Sequence, residues 1–178
     1  MRLARRLAAP APGWTTSADA IVVGSGIAGL TAALELRARV PRVLLITKSV
    51  LASGSTVWAQ GGIAAALDPQ DTPEAHSRDT LTAGAGLCDP VAVDVLVSEG
   101  PDRVRELAGL GAAFDVDQAG RISLTREGGH GTNRIAHAGG DATGAEISRA
   151  LVARIEAVRN DPGVEVIEHA IVLDMLTA

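Results

Sequence analysis

Apolar residues at the start of the folded chain predict a strand, a helix and a second strand in close succession. Residues 19–23 read DAIVV, a short β-branched run, and residues 42–47 read RVLLIT, a second buried strand. The helical spacing between them is carried by Ile27, Leu30, Ala33 and Leu34. We expect a right-handed crossover that makes the two strands parallel neighbours.

A long stretch without regular periodicity follows the second strand, from about residue 48 to residue 140. It is rich in Gly and Asp, and only the windows 72–83 and 89–110 show helical spacing. An insertion of this length is long for a simple doubly wound fold. The expected fold class is therefore α/β, a parallel sheet with a long Gly-rich insertion after its second strand.

The last part of the chain predicts one more helix and further strand structure. Residues 141–157 read DATGAEISRALVARIEA, in which Thr143 and Glu146 have the spacing of a capping box. The apolar face of this helix is expected to consist of Ile147, Leu151, Ile155 and Val158. After a turn at residues 161–163, the sequence up to residue 176 predicts one or two strands. Because no helix follows to cover the sheet, we expect the N-terminal part of a longer protein, or a truncated copy.

Composition refines the expected core and excludes one class of partner. The chain has 178 residues, 47% of them apolar, but only one Phe, two Trp and no Tyr. A core of Ala, Val, Leu and Ile suits a parallel sheet covered by helices. The net charge is −5, and it becomes −8 without the three arginines that precede Leu7. We therefore expect no nucleic-acid partner.

The N-terminus and the single cysteine indicate the setting of the protein. Residues 1–18 lack a sustained apolar segment and contain Pro10 and Pro12, which predicts a disordered tail rather than a targeting signal. No apolar stretch approaches the ~18 residues that a membrane span needs. Cys88, the only cysteine, can form neither an internal disulfide nor a multi-cysteine metal site, so no metal is expected. A cytoplasmic location fits this cysteine usage.

A glycine-rich turn joins the first strand to the first helix. Residues 24–29 read GSGIAG and match the pattern G-x-G-x-x-G, which gains weight between a predicted strand and a predicted helix. Gly24 permits the tight turn, Gly26 lets the backbone approach a pyrophosphate, and Gly29 allows close helix packing. The helix N-terminus adds amide donors and a favourable dipole. The sequence therefore predicts a Rossmann-like dinucleotide site.

The end of the second strand bears on which dinucleotide is bound. A nicotinamide-type site expects Asp or Glu about 20 residues after the glycines, where it takes the ribose hydroxyls. This chain has Thr47 and Lys48 there, and an ammonium group cannot accept those hydrogen bonds. The NAD interpretation is thereby weakened, although Lys48 could contact a phosphate.

A second small-residue segment, SGSTVWAQGGIAAAL at residues 53–67, interrupts the insertion. Adjacent glycines lose much backbone entropy on folding and add no packing surface, so a buried strand or helix has no use for them. We expect something to lie against this backbone.

Five motifs in order resemble the aspartate oxidase branch of the succinate dehydrogenase and fumarate reductase flavoprotein family. They read IVVGSGIAGLTAAL, LITKS, GSTVWAQGGIAAAL, DTLTAGAGLCDP and LTREGGHGTNRIAHAGGDATGAE. The resemblance covers residues 19–178 and implies the N-terminal portion of an FAD-binding domain, with the capping and C-terminal domains absent. It implies FAD contacts from the glycine turn, Lys48, the small-residue segment and the backbone near residue 171. The residues concerned are Gly24, Ser25, Gly26, Ile27, Ala28, Gly29, Lys48, Ser55, Thr56, Val57, Trp58, Ala59, Gln60, Gly61, Gly62, Ile171 and Val172.

Two positions distinguish branches of this family. Respiratory members carry the flavin covalently on a His where this chain has Ser55, so the resemblance implies noncovalent FAD. Glu127 matches the glutamate that aspartate oxidases are thought to use for the substrate amino group, and a carboxylate favours an amine by charge pairing. His130 is a further substrate-binding candidate, and His137 could also meet substrate or flavin.

The implied reaction is oxidation of L-aspartate to iminoaspartate, with oxygen or fumarate as the acceptor. The product would feed quinolinate and NAD synthesis, with quinolinate synthase as the next enzyme. The family's catalytic residues are expected beyond Ala178, so none is named in this chain. Two alternatives stay open: a fumarate reductase or succinate dehydrogenase-like flavoprotein, and a truncated nucleotide-binding remnant without catalysis.

Overall fold

The computed structural model describes residues 11–159 and 161–175, which form two compact units. The first unit comprises the chain up to Gly54 and from Val152 onward, and the second comprises Ser55–Leu151. In chain order the elements are β1 (Ala20–Val23), α1 (Ile27–Arg37), β2 (Val43–Ile46), β3 (Ile63–Ala64), α2 (Pro73–Ala83), α3 (Pro90–Gly109), β4 (Leu124–Thr125), β5 (Ile135–Ala136), α4 (Thr143–Val158) and β6 (Val164–Ile167). Short 3₁₀ turns occupy Leu51–Ser53 and Ser55–Trp58.

The first unit is built on a three-stranded parallel sheet in the order β1-β2-β6. Ala20 pairs with Val43, and Val43 pairs with Val164 on its other side. The central strand is entirely apolar and three of its four residues are buried, as expected of a parallel strand with neighbours on both sides. The predicted α/β class and the parallel pairing of the first two strands are therefore confirmed, and within the described residues 161–175 there is one strand, β6.

The second unit contains the predicted helices α2 and α3 and a small sheet that the sequence did not predict. The three strands of this sheet have the order β3-β5-β4, are antiparallel and are two residues long each. Two residues are too few for an alternation of apolar and polar side chains to be recognised. Helix α2 begins after Thr72, whose hydroxyl accepts the Ala75 N–H, and α3 begins after Asp89, whose carboxylate accepts two amides.

The predicted capping box at the start of α4 is wrong. The capping residue of a capping box stands directly before the first helical residue. Thr143 is itself the first residue of α4 and therefore does not occupy that position. Its hydroxyl accepts the N–H of Ala138 at 3.1 Å. The Glu146 carboxylate accepts the Ala113 N–H at 2.6 Å and pairs with Arg149. Both side chains thus bond to groups outside the helix backbone, which the local sequence could not indicate.

Two other expectations concern the ends of the chain and its helices. The predicted disordered tail at residues 1–18 falls largely outside the described residues, which begin at residue 11. Among the helices of the described ranges, none combines the length and apolar character needed to cross a membrane.

One close contact in the second unit places the start of α4 against the small-residue segment. A Cβ on Gly144 would lie 2.1 Å from the Thr56 carbonyl oxygen and 2.7 Å from the Ala59 carbonyl oxygen. The Gly144 N–H also donates to that Ala59 oxygen at 3.0 Å. A larger residue at 144 would therefore push the two backbones apart.

We expect Gly144→Ala to lower the free energy of unfolding by about 1–3 kcal/mol, the usual cost of overpacking. Gly109→Ala is the matched control because Gly109 also lies in a helix and has no other atoms within 4 Å of an added Cβ, apart from its chain neighbours and the backbone of its own helix. The control should gain about 0.5–1 kcal/mol from its better helix propensity. Urea unfolding of both variants measures the difference, and equal stabilities would contradict the contact.

Candidate FAD and substrate site

The turn between β1 and α1 is closed by contacts that leave no room for side chains. Gly24 has φ +104°, a left-handed conformation that favours glycine, and its N–H donates to the Ile46 oxygen at 2.8 Å. A Cβ on Gly29 would lie 2.0 Å from the Gly24 oxygen. The first and third glycines of the motif are thus explained by the turn and by helix packing.

The helix end that follows this turn is suited to an anion. The N-cap of α1 is Gly26, which brings no side-chain acceptor to the first-turn amides. Such amides and the helix dipole attract phosphate groups, and a glycine lets a ligand approach the backbone. The turn therefore fits the pyrophosphate of a dinucleotide.

Two buried hydroxyls support the turn from the end of β2. The Ser25 and Thr47 hydroxyl oxygens are 2.9 Å apart, and both residues are buried. The Thr47 N–H donates to the Ile167 oxygen, so the hydroxyl pair is fixed to the parallel sheet. Thr47 occupies the place where a nicotinamide site has an acid, whereas Lys48 is exposed and free to approach a ligand phosphate.

The sequence did not indicate one glycine that packs against this turn, Gly54 in the loop after β2. A Cβ on Gly54 would lie 2.9 Å from the Ser25 oxygen and 3.2 Å from the Gly26 nitrogen. The loop after β2 therefore packs directly on the dinucleotide turn. The only sequence signal was a further Gly between two serines, and nothing in that pattern pointed to residues nearly thirty positions earlier.

The segment near residue 171 lies in the first unit. The Ala170 N–H donates to the Thr47 oxygen at 3.1 Å, so this stretch runs beside the end of β2. Ile171 and Val172 follow without regular structure and are exposed. The structure thus brings residues 170–172 to the same edge of the sheet as Thr47 and Lys48, as expected for backbone contacts with FAD. Those contacts themselves stay a prediction.

The small-residue segment of the second unit turns sharply and then enters β3. Ser55–Trp58 form the 3₁₀ turn, and Gly61 has φ +65°. A Cβ on Gly62 would lie 2.3 Å from Ile135 Cγ2 and 2.5 Å from the Ala136 oxygen. Gly62 is therefore required by contact with β5 within the chain, a reason that the sequence did not reveal. The exposed members of the segment are Ser55, Trp58, Ala59, Gln60 and Gly62.

Glu127 lies beside this segment in the second unit. Its Oε1 is 3.8 Å from the position of a Cβ on Gly61 and 3.8 Å from His137 Nε2. The His137 Nε2 also contacts the Thr125 hydroxyl at 2.7 Å. Glu127 is half exposed, so its carboxylate is accessible to a ligand. The structure therefore places together two stretches for which the sequence predicted separate roles, one for cofactor and one for substrate.

His130, the other predicted substrate residue, lies near a different group of charges. Its Nδ1 is 3.3 Å from Arg134 Nη1, and its ring centroid is 5.6 Å from that of His76. His76 is buried, and burial, followed by the charge of Arg134, lowers its pKa. His130 and Glu127 therefore share a loop but have different neighbours.

A family model described as FAD binding domain matches residues 19–178. The chain belongs to this family of FAD-binding domains, and its cofactor is FAD. The parallel sheet and the glycine-rich turn at the N-terminus of α1 fit that cofactor.

Curated relatives indicate the branch. The chain is 62% identical over 172 residues to L-aspartate oxidase of Streptomyces coelicolor, covering 97% of this chain and 29% of the relative. It is 49% identical over 160 residues to the chloroplastic L-aspartate oxidase of Arabidopsis thaliana, covering 90% of this chain and 24% of the relative. The chain thus spans 24–29% of the length of these two relatives.

Solved structures support the same fold. The Mycobacterium smegmatis Sdh1 complex in the apo form is 37% identical with a TM-score of 0.78, covering 85% of this chain and 27% of that chain. A quinol-fumarate reductase with menaquinol molecules is 30% identical with a TM-score of 0.80, covering 90% and 28%. The predicted Rossmann-like FAD-binding fold and the predicted flavoprotein family are confirmed.

We expect Gly29→Ala to weaken FAD binding by at least about tenfold, because the new Cβ would displace the Gly24 carbonyl and distort the turn. The measurement is the FAD dissociation constant of the full-length protein, obtained by titrating the apoprotein and following flavin fluorescence. Gly109→Ala, at a helical glycine with open space around it, is the control and should bind FAD normally. An unchanged dissociation constant for Gly29→Ala would contradict the role of this turn.

Proposed function

We propose that the chain is the FAD-binding portion of an L-aspartate oxidase, which oxidises L-aspartate to iminoaspartate with oxygen or fumarate as acceptor. The observation that carries the proposal is the place of Glu127 beside Gly61, in a segment expected along the flavin. The similarity to L-aspartate oxidases over nearly the whole chain supports it. The catalytic groups are expected on the part of the relatives that this chain does not span.

Glu127 would select the substrate by charge. An accessible carboxylate pairs with the ammonium group of an amino acid, whereas a dicarboxylate without an amine has no cation to offer. Bound FAD would supply the two-electron oxidation of the substrate. The share of this chain is to hold the amino group so that the Cα–H faces the flavin.

Ser55 bears on how the cofactor is held. In the proposed function the flavin is noncovalent, since a serine hydroxyl is not expected to form the link that a histidine forms in the respiratory relatives. Ser55 is exposed in the 3₁₀ turn, and therefore accessible for a hydrogen bond to a ligand.

The proposed product places the enzyme at the start of NAD synthesis. Iminoaspartate would be consumed in making quinolinate, with quinolinate synthase as the next enzyme. We propose a cytoplasmic location for this chain, whereas plant relatives are named as chloroplastic.

A second candidate is a fumarate reductase or succinate dehydrogenase-like flavoprotein, because solved structures of that kind share the fold at 30–37% identity. Ser55 and Glu127 favour the oxidase. A protein that reduces fumarate but never oxidises aspartate would support this second candidate instead.

We expect Glu127→Gln to raise the KM for aspartate roughly ten- to hundredfold, since a hydrogen bond to a charged group contributes about 1.5–3 kcal/mol. The KM for fumarate should change much less, because fumarate lacks an amine. Steady-state kinetics of the full-length enzyme with both compounds measures the split. Glu106→Gln, an exposed glutamate on α3, is the control and should leave both values unchanged. Equal effects of Glu127→Gln on aspartate and fumarate would remove the assigned role.

Acid precipitation of the full-length flavoprotein should leave yellow FAD in the supernatant and a colourless pellet, because no covalent link is expected at Ser55. The Ser55→Ala variant should behave in the same way. A yellow pellet from the natural protein would contradict noncovalent binding and would favour the respiratory type.

A further inference from the structure

A buried cation lies at the base of the loop that carries Glu127 and His130. The side chain of Arg134 is 1% exposed and stands directly before β5. The backbone N–H of Arg134 donates to the backbone carbonyl oxygen of Thr125 at 3.0 Å, where β4 ends. Residues 126–133 therefore form a loop closed by the paired strands β4 and β5. A buried guanidinium is costly unless its donors are paired.

Two aspartates pair with this guanidinium, and they do so differently. Asp71, also 1% exposed, binds it through both oxygens, with Nε–Oδ2 and Nη2–Oδ1 distances of 2.9 Å. Asp79, on α2, uses a single oxygen, Oδ2, at 2.7 Å from Nη1. Asp71 therefore neutralises Arg134, whereas Asp79 has a second task.

The second task of Asp79 is a bond to the loop itself. The same Oδ2 accepts the Gly131 N–H at 2.6 Å. Gly131 is pressed onto this carboxylate, because a Cβ there would lie 3.3 Å from Oδ2. The amide bond and then the Arg134 guanidinium lower the pKa of Asp79, so the carboxylate stays charged. This contact ties the loop to helix α2.

The tie acts close to both predicted substrate residues. Gly131 follows His130 directly. The backbone N–H of His130 donates to the backbone carbonyl oxygen of Glu127 at 3.3 Å, which folds these residues into a turn. Gly129 within the turn has φ +84°. Because a guanidinium can only donate, His130 Nδ1 accepts from Arg134, and the proton of the neutral ring lies on Nε2. The same cluster thus fixes the place of the turn and the tautomer of His130.

We propose that Asp79 is a positioning residue for amino-acid recognition, holding the 127–131 turn through the Gly131 amide so that Glu127 stays beside Gly61. This inference rests on the proposed function of Glu127. Without the bond, the turn would keep its chain connections to β4 and β5 and the His130–Arg134 contact but would lose its hydrogen bond to α2, and the Glu127 carboxylate would spend less time where it meets the substrate amine. Binding of aspartate would suffer, while binding of dicarboxylates that do not use Glu127 would not.

The test compares two substitutions at Asp79 in the full-length flavoprotein. Asp79→Ala removes the acceptor and should raise the KM for aspartate by about tenfold, with the KM for fumarate within about twofold of the natural enzyme. Asp79→Asn keeps one oxygen, and one oxygen makes both contacts now, so it should restore most of the aspartate affinity. Hydrogen exchange of the peptide containing residues 127–132 should be faster in Asp79→Ala and near normal in Asp79→Asn.

Asp71→Asn is the structural control. Among the described residues, the Asp71 side chain binds Arg134 but makes no hydrogen bond to the 126–133 loop. It should lower the unfolding midpoint without changing the ratio of the two KM values. The proposal is overturned if Asp79→Ala lowers only the unfolding midpoint, leaving the KM ratio and loop exchange unchanged. If Asp71→Asn does not fold, the contrast between Asp79→Ala and Asp79→Asn still decides.

Failure of the proposed function gives a different result. A natural full-length protein that does not oxidise aspartate would refute the oxidase, whatever the Asp79 variants do. Hydrogen exchange of the loop does not depend on turnover. Faster exchange in Asp79→Ala supports the hydrogen bond between Gly131 and Asp79 on α2 as the attachment of the loop, and unchanged exchange overturns it.

Discussion

The structure depends on backbone segments that approach one another more closely than any side chain would allow. In the first unit, Gly29 and Gly54 both lie against the Gly24–Gly26 turn at distances that a Cβ would violate. In the second unit, Gly62 lies against β5 in the same way. Because these contacts are between backbone atoms, a Cβ at any of these glycines could be accommodated only by moving the backbone. The glycines therefore set the shape of the backbone that the cofactor is expected to meet. Each of these glycines lowers the stability through its loss of conformational entropy on folding, but only glycine permits these backbone contacts.

The polar groups near the site follow a different rule, which is pairing. Ser25 and Thr47 form a hydrogen bond with each other at the dinucleotide turn, and the donors of Arg134 are paired with two aspartates at the base of the 126–133 loop. Buried polar groups of this kind are expensive when broken but specify one arrangement when complete. Glu127 differs because half of its side chain is exposed. Its carboxylate is therefore available to a ligand, while the groups behind it are already committed to the protein.

How much of this could be predicted from the sequence depended on the range of the interactions. The strands of the parallel sheet, the helices and the dinucleotide turn are encoded by local periodicity and by three glycines within six residues, and these were predicted within a few residues. The small sheet of β3, β4 and β5 was missed, since two-residue strands carry no periodic signal and β3 pairs with a strand about seventy residues further along the chain. The capping box at Thr143 and Glu146 failed because both side chains accept amides from outside the helix: Thr143 accepts the Ala138 N–H, and Glu146 accepts the N–H of Ala113, which lies 33 residues away. The partners of Arg134 lie 55 and 63 residues away, so no local pattern could reveal them.

The comparison of relatives separates what the fold does from what the site does. A fold shared with a quinol-fumarate reductase at a TM-score of 0.80 cannot itself decide between an amino acid and a dicarboxylate. Both substrates carry two carboxylates, so the groups that bind those carboxylates cannot discriminate either. The remaining difference is one ammonium group, and a single anionic side chain in the correct place is sufficient to recognise it. A carboxylate selects only where the backbone holds it, because a mobile loop would lose much of the pairing energy in ordering itself. In the proposed function, specificity for the amine therefore depends on Glu127 and on the Asp79 carboxylate that holds its loop.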